Sequence, residues 1–177
     1  MVTVVTKTIG PTGRDYTTFT LAEAAVESIA TAEFGSTDLV ANDGAIVFEA
    51  DAATYSESVS FSSSLTMDAT RNVTYRPASG SEHGGSLSAG VIVSGSSGNT
   101  AGLYDGFINF EGIVLKSSAS YAIAIGADGV TVDGLVLANT NSDVAILQNG
   151  TALNPVRCLN CVAHATNGYG FYIFGTS

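Results

Sequence analysis

A repeat in the second half of the chain is the feature that most restricts its fold. Three segments share an apolar-x-apolar strand, a Gly or Asn, and a second apolar-x-apolar strand, at residues 108–115, 130–137 and 156–163. Their steps of 22 residues (108 to 130) and 26 residues (130 to 156) are typical of solenoids. A third short strand is predicted in each repeat, at residues 123–125, 144–146 and 171–173. The pattern predicts stacked coils of three strands and three corners, as in a parallel β-helix.

Aligning the repeats separates positions that face the core from those that face solvent. A single coil has no second layer, so its apolar side chains must stack on the neighbouring coils. The predicted inward columns are Ile108/Val130/Val156, Phe110/Val132/Cys158, Ile113/Leu135/Cys161 and Leu115/Leu137/Ala163. The predicted outward columns are Asn109/Thr131/Arg157 and Glu111/Asp133/Leu159, and the shared corner is Gly112/Gly134/Asn160. Because Gly and Asn adopt positive φ most easily, this corner is predicted to be left-handed.

The N-terminal part is less regular and is predicted to cap the coils. A strand is predicted at residues 2–9, and Thr20 with Glu23 forms a capping box before a short helix at about 21–31. Its predicted apolar stripe is Leu21, Ala25 and Ile29. We expect the helix to cover the first coil, whose core and strand edge would otherwise meet water.

Short apolar runs predict the strands of the first coils. The first coils are predicted to use residues 45–48, 58–61, 65–67 and 73–75, followed by a polar loop at 76–90. The domain organisation is therefore an N-terminal strand, loop and capping helix in residues 1–40 and β-helix coils in residues 41–177.

Composition limits the classes of partner. With 177 residues, 45% of them hydrophobic and 12% charged, the chain can bury one domain. Its net charge is −10 and its six basic residues lie apart, which disfavours nucleic-acid binding because phosphate-tracking surfaces need clustered Lys and Arg. Residues 1–8 lack the features of a signal peptide, and no apolar run has the length of a transmembrane helix. We therefore expect neither a secretion signal nor membrane insertion.

Cys158 and Cys161 form a Cys-x-x-Cys pair. Such a pair suits a redox centre or half of a zinc site. Both residues fall in inward columns otherwise filled by apolar side chains, which favours two small buried residues without chemistry.

The other candidates for a catalytic or ligand-binding role have no evident functional partners in the sequence. Glu111 above Asp133 is an outward carboxylate stack, which could hold a cation or a sugar hydroxyl or consist of two solvated acids. His83 and His164 are interpreted as loop or surface histidines rather than general bases. No catalytic, cofactor-binding or metal-binding residue is assigned.

Val114, Val136 and Val162 repeat between inward neighbours. Strict alternation places them outward, as an apolar stripe suited to a contact surface. A slip of parity after the corner would instead place them in the core, and both alternatives are open at this point.

The lead-in and several strands resemble a known superfamily. Residues 15–19 (Asp-Tyr-Thr-Thr-Phe) and 53–57 (Ala-Thr-Tyr-Ser-Glu) are similar to the start of pectin methylesterases and of many phage β-helix proteins. Residues 121–125 and 171–175 resemble the methylesterase catalytic strands in order. The chain thus resembles the pectin-lyase-like superfamily, which includes pectate lyases, polygalacturonases, pectin methylesterases and bacteriophage tailspikes. The resemblance implies an all-β, single-stranded right-handed parallel β-helix with three strands per coil and a short N-terminal capping helix.

The catalytic residues of that superfamily are not reproduced. Phe171 stands where the last esterase motif has its Asp, Ala122 stands where the first Gln is expected, and Asp143 is the only carboxylate near such a position. The carboxylate clusters that lyase or hydrolase chemistry needs are not apparent either. The sequence therefore favours a protein without catalytic activity.

Two function classes follow. The favoured one is a non-enzymatic structural or adhesion module, a bacteriophage virion component such as the N-terminal part of a tail fibre or tailspike. It implies a homotrimer, contacts with other virion proteins, a surface polysaccharide as ligand, and no cofactor. The alternative is a fragment of a carbohydrate-active enzyme, namely a polysaccharide lyase, a hydrolase or a pectin-esterase-like enzyme. Because residues 171–177 end within a predicted strand, we expect the coils to continue in a longer parent protein or to be covered by a neighbouring subunit.

Overall fold

The computed structural model of the protein describes residues 1–140, 146–149, 156–166 and 171–174. In this part of the chain the structure is all-β apart from one helix, α1 (Phe19–Phe34). No helix among the described residues is long and apolar enough to cross a membrane. The strands are β1 (Thr3–Ile9), β2 (Gly44–Ala50), β3 (Ala53–Tyr55), β4 (Val59–Phe61), β5 (Val73–Pro77), β6 (Val91–Gly95), β7 (Ala101–Leu103), β8 (Ile108–Glu111), β9 (Val114–Ser117), β10 (Ile123–Ile125), β11 (Thr131–Asp133), β12 (Val136–Asn139), β13 (Ile146–Asn149), β14 (Arg157–Leu159), β15 (Val162–Ala165) and β16 (Phe171–Phe174).

The strands form three parallel sheets. Sheet 1 has the order β1-β2-β5-β8-β11-β14, sheet 2 the order β3-β6-β9-β12-β15, and sheet 3 the order β4-β7-β10-β13-β16. From β2 onward, successive strands enter sheets 1, 2 and 3 in rotation, and each pairs with the strand three places along the chain. Two parallel neighbouring strands need a long connection between them. Here the connection passes through the other two sheets, which is compatible with a β-helix-like fold.

The strand register confirms the predicted alignment of the repeats in sheets 1 and 2. Val132 lies between Phe110 and Cys158 in sheet 1, and Leu137 lies between Leu115 and Ala163 in sheet 2. The shared corner is left-handed as predicted, with φ angles of 59° at Gly112, 62° at Gly134 and 51° at Asn160.

The third strand of the repeat was aligned wrongly at one position. Ile123 pairs with Ile146 rather than with Val144, so the predicted strand at 144–146 is displaced by two residues. Val144 lies outside the described residues. Ile146 pairs in turn with Phe171, and β16 confirms the strand predicted at 171–173. The alternating apolar residues of this short segment fit both registers, so the sequence pattern could not distinguish them.

In the N-terminal half, β1, β2, β4 and β5 confirm predicted strands, but the strand predicted at 65–67 is absent. Thr66 makes only an isolated bridge to Asp38. Strands β3, β6 and β7 were not predicted, since segments of three to five residues carry little periodicity of their own. The predicted polar loop begins after Pro77, where β5 ends.

The mainly aliphatic core inside the three sheets contains a stack of aromatic rings. Phe48, Tyr75 and Phe110 occupy aligned positions on β2, β5 and β8 and are buried. The rings of Phe48 and Tyr75 are stacked with centroids 4.8 Å apart, and those of Tyr75 and Phe110 lie 5.7 Å apart. Phe61 on β4 packs edge-on against Tyr75 at 4.7 Å. Aromatic side chains thus fill the interior where the sheets face one another.

Helix α1 packs on this core, but it begins earlier than predicted. Thr18 is the N-cap, and its hydroxyl accepts a hydrogen bond from the Leu21 amide at 3.1 Å. The predicted cap at Thr20 and its reciprocal bond with Glu23 are therefore wrong. The buried face consists of Phe19, Ala22, Val26, Ile29 and Ala30, whereas Leu21 is 52% exposed. The apolar residues of this helix occupy two adjacent faces, and packing selected the one that carries Phe19.

Candidate functional site

The two cysteines occupy the inward register but are not both buried. Cys158 pairs with Val132 as predicted, yet it is exposed, and Cys161 is half-buried. The prediction that both are buried is wrong because β14 is the edge of sheet 1 among the described strands and is covered from one side only. Partial desolvation and the neighbouring Cys161 thiol still raise the pKa of Cys158 to about 11. A raised thiol pKa opposes formation of the reactive thiolate.

The carboxylate stack of Glu111 and Asp133 is present. These residues are register partners on β8 and β11, and the Asn160 side-chain amide donates a 2.9 Å hydrogen bond to Asp133. Among the described residues, no group of three or more His, Cys, Asp or Glu side chains is arranged to hold a metal ion. Asp143, which the resemblance placed near a catalytic position, lies outside the described residues, and Ala122 is buried.

His83 holds the loop between β5 and β6 against a corner of the repeat. Its Nε2 lies 2.6 Å from the Gly134 carbonyl oxygen, and its Nδ1 accepts a 2.7 Å hydrogen bond from the Gly85 amide. A carbonyl cannot donate, so these contacts fit the neutral tautomer with its proton on Nε2. The side chain therefore has a structural role. His164 lies exposed on β15.

The valine stripe lies on the outer side of sheet 2, as strict alternation predicts, but Val114 and Val136 are buried and do not form the exposed contact surface that such alternation implies. Ile92, Val114 and Val136 are register partners across β6, β9 and β12, and they form a buried cluster separate from the main core. Their neighbours Leu115 and Leu137 belong to the main core, which excludes the slip of parity. The stripe continues to Val162, which is 60% exposed.

Carboxylates of helix α1 and of the neighbouring coils bind backbone amides where the helix meets the coils. Glu57 accepts hydrogen bonds from the amides of Phe19 and Thr20 at the first turn of the helix. After β4, the amides of the consecutive residues Ser62, Ser63 and Ser64 donate to Glu23, Asp105 and Glu27 respectively. The hydrogen bonds of Glu23, Glu27 and Glu57 attach the helix to the coils, whereas that of Asp105 joins two segments of the coils. These bonds account for the proximity of the carboxylates without a ligand.

A polar cleft lies on the outer face of sheet 1. Its volume is about 210 Å³, and it is lined by Ala69, Asn72, Phe107, Asn109, Gly129, Thr131 and Arg157. The outward residues Thr74, Asn109, Thr131 and Arg157 are register partners on four adjacent strands. The repeat therefore supplies part of the cleft, since Asn109, Thr131 and Arg157 each come from one strand, whereas Thr74 lies beside the lining residues.

Hydrogen bonds fix the amide side of the cleft. The Asn109 side-chain amide donates to the Thr74 hydroxyl at 3.2 Å, and this hydroxyl donates to the side-chain oxygen Oδ1 of Asn72, also at 3.2 Å. The side-chain nitrogen Nδ2 of Asn72 donates to the backbone carbonyl of Ala69 at 3.1 Å. Because these amides are linked through one hydroxyl, they are held in a fixed arrangement beside the cleft.

An aromatic ring in an uncommon conformation forms the other side. Phe107 has a φ of 61° and Gly129, one coil further along, has a φ of 69°. A Cβ atom at Gly129 would lie only 2.6 Å from the Phe107 ring, so glycine is required there for the ring to occupy its place. A bulky residue with positive φ is a genuine outlier and is often found at functional sites.

The sequence indicated part of this cleft but not its function. The pattern correctly predicts Asn109, Thr131 and Arg157 on the outward face, but a polar outward column is typical of any solvent-facing surface. The sequence signal that could have indicated the cleft is a column of uncharged polar residues that ends in an arginine. Phe107 could not be found in this way, since it precedes β8 and only the fold brings its ring beside that column.

No protein-family model, curated protein or solved structure matches the chain, so the cleft is interpreted from its own chemistry.

Proposed function

We propose that the chain is a single-stranded right-handed parallel β-helix with three strands per coil, resembling the pectin-lyase-like superfamily. We further propose that it is a non-enzymatic structural and adhesion module of a bacteriophage virion, the N-terminal part of a tail fibre or tailspike that contacts other virion proteins. The rotation of successive strands through three parallel sheets supports the architecture. A solenoid of this kind is a rigid scaffold on which a binding surface can be repeated.

The polar cleft is the observation that carries the adhesion function. Its lining offers amides, a hydroxyl, a guanidinium group and an aromatic ring, which together suit the hydroxyl groups and the apolar face of a sugar. No carboxylate or imidazole is among the described lining residues, so this described part of the cleft offers no ordinary general acid or base. Such a set supports binding of a surface polysaccharide without cleavage.

Binding to polysaccharide can be tested with an aromatic substitution in the cleft. Removal of the ring in Phe107→Ala should weaken retention on immobilised capsular or cell-surface polysaccharides at least several-fold, because the apolar side of the cleft is lost. Tyr104→Ala is the matched control, since Tyr104 is a 47% exposed aromatic residue outside the cleft lining. Equal retention of wild type and Phe107→Ala would count against adhesion through this cleft.

The proposed virion role also requires assembly. Leu159 and Val162, near the edges of sheets 1 and 2, are 46% and 60% exposed, and apolar side chains at sheet edges favour association. Light scattering at physiological salt should give the mass of three chains. A monomer over the whole accessible concentration range would contradict the proposed trimer.

The alternative, a fragment of a carbohydrate-active enzyme, is kept because the cleft is of a kind that could position a sugar chain. It predicts the release of new reducing ends or unsaturated products from acidic polysaccharides, or methanol from their esters. Turnover that is abolished by a substitution in the cleft would replace the adhesion proposal with this one.

A further inference from the structure

The basic residues of this chain differ in whether they form ion pairs with carboxylates. Lys7, Arg14, Arg71 and Arg76 each form an ion pair with a carboxylate, at N–O distances between 2.6 and 3.0 Å. In a chain with a net charge of −10, carboxylate partners are abundant. Within the described part of the chain, however, the Arg157 guanidinium has no ion pair and no side-chain hydrogen bond.

The position of Arg157 makes this exception informative. It is exposed at the end of the outward column that continues through Thr131 to Asn109, and it lines the cleft. The nearest carboxylate along β11 is Asp133, which pairs in register with Leu159 rather than with Arg157 and accepts its hydrogen bond from Asn160. Among the described residues that line the cleft, the guanidinium group is thus the only charged group.

We infer that the cleft binds an acidic saccharide and that Arg157 pairs with the carboxylate of one sugar unit. A guanidinium group presents a planar fork that matches a carboxylate with two parallel hydrogen bonds. The amides of Asn72 and Asn109 and the Thr131 hydroxyl then face the ring hydroxyls, and the Phe107 ring lies against the C–H face. The cleft of about 210 Å³ is smaller than the roughly 300 Å³ of the smallest drug-sized pockets, which suits one portion of a longer chain.

This inference rests on the proposed adhesion function and assigns the class of glycan. It makes Arg157 the residue that determines specificity, because the other lining groups also suit neutral sugars. A carboxylate that replaces water around the guanidinium should contribute about tenfold or more in affinity, as hydrogen bonds between charged groups commonly do.

The test compares each acidic polysaccharide with its own neutral derivative. Oligosaccharides of alginate, polygalacturonate, hyaluronan and polysialic acid are titrated calorimetrically in parallel with their carboxyl-reduced forms, at about 0.15 M salt, where the Debye length is about 8 Å. We expect at least one acidic form to bind about tenfold or more tightly than its reduced form. Arg157→Gln should remove that difference, while Arg157→Lys should restore only part of it.

Lys116→Gln is the matched control. Lys116 lies on β9 in sheet 2, outside the cleft, and it also has no ion pair among the described residues, so the substitution removes the same charge from another face. Loss of the preference for the acidic form in both variants would indicate a general charge effect and overturn the assignment to Arg157.

The remaining outcomes separate the inference from the function on which it rests. Equal binding of acidic and reduced forms, both weakened by Phe107→Ala, would overturn the acidic specificity and leave the adhesion function standing. Unchanged acidic preference in Arg157→Gln would overturn the role of Arg157. If neither the acidic nor the reduced forms bind, and capsular polysaccharides are not retained either, both the adhesion function and this inference fail.

Discussion

At the scale of single residues, backbone conformation at the corners decides which side chains the coils tolerate. Gly112, Gly134 and Asn160 repeat a left-handed corner, which L-residues with a Cβ atom adopt at a cost of about 1–2 kcal/mol. Phe107 carries the same conformation at a different corner, where no sequence rule favours it. The cost at Phe107 is consistent with a residue retained for binding rather than for folding.

We predict that Gly134→Ala destabilises the fold by about 1–2 kcal/mol through its φ alone. A Cβ atom at Gly134 would find its nearest neighbour at 3.8 Å, on Gly112, so there is no steric clash. Urea unfolding should show the loss. Gly134→Asn is the control. It should lose clearly less stability than Gly134→Ala, because Asn already occupies this corner at residue 160. Equal losses in the two variants would indicate that the backbone conformation is not the cause.

At the scale of elements, helix α1 is attached to the coils by carboxylate hydrogen bonds in addition to its buried apolar face. Glu57 binds the amides of its first turn, and Glu23 reaches across to Ser62 after β4. Burial raises the pKa of Glu23, and the nearby charges of Asp105 and Glu27 raise it further, while the hydrogen bond from Ser62 opposes them. The charged form of Glu23 is therefore a net cost to the folded state at neutral pH.

The raised pKa of Glu23 predicts a pH-dependent effect of Glu23→Gln. A carboxyl whose pKa is raised on folding destabilises the native state above that pKa, and this cost disappears below the unfolded value of 4.5. Glu23→Gln, which keeps an acceptor for Ser62, should raise the thermal unfolding midpoint at pH 7, and the difference should vanish near pH 4.

Glu27→Gln controls for the general loss of one negative charge. Glu27 lies one turn further along the same helix and accepts from the Ser64 amide at 2.6 Å. If the thermal unfolding midpoint rises equally in both variants, the reduced net negative charge explains the result and the burial of Glu23 does not.

At the scale of the whole molecule, aligned strands place side chains in columns that no single element contains. Inside, the aromatic column of Phe48, Tyr75 and Phe110 joins three coils and receives Phe61 from sheet 3. Outside, the same alignment produces the cleft of sheet 1. The core and the candidate binding site are therefore products of one register, and a shift of one residue would exchange their positions.

We predict that Phe110→Ala costs about 3–5 kcal/mol of stability, as truncation of a buried aromatic residue usually does. Phe110 is buried and its ring lies within 6.2 Å of the rings of Phe19, Phe61 and Tyr75. Phe107→Ala, three residues earlier, should cost much less, because Phe107 is only half-buried at the cleft. Denaturant unfolding of both variants tests this, and similar losses would contradict the division into core and binding residues.

The features that depend on local pattern could be predicted from the amino-acid sequence. The repeat, the inward columns of β8 and β9, and the corner at Gly112 and Gly134 followed from apolar alternation and from the residue types that permit positive φ. These features are repeated along the chain, so each copy supports the interpretation of the others.

The features that depend on packing between segments follow from the folded structure alone. The capping of α1 by Thr18, the pairing of Ile123 with Ile146, and the exposure of Cys158 each depend on which strand or loop lies alongside. The cleft belongs to this class, since Phe107 and Arg157 are separated along the chain and meet only because parallel strands stack in register. Local sequence determines which conformations a segment prefers, whereas contacts between distant segments decide which side chains share a surface.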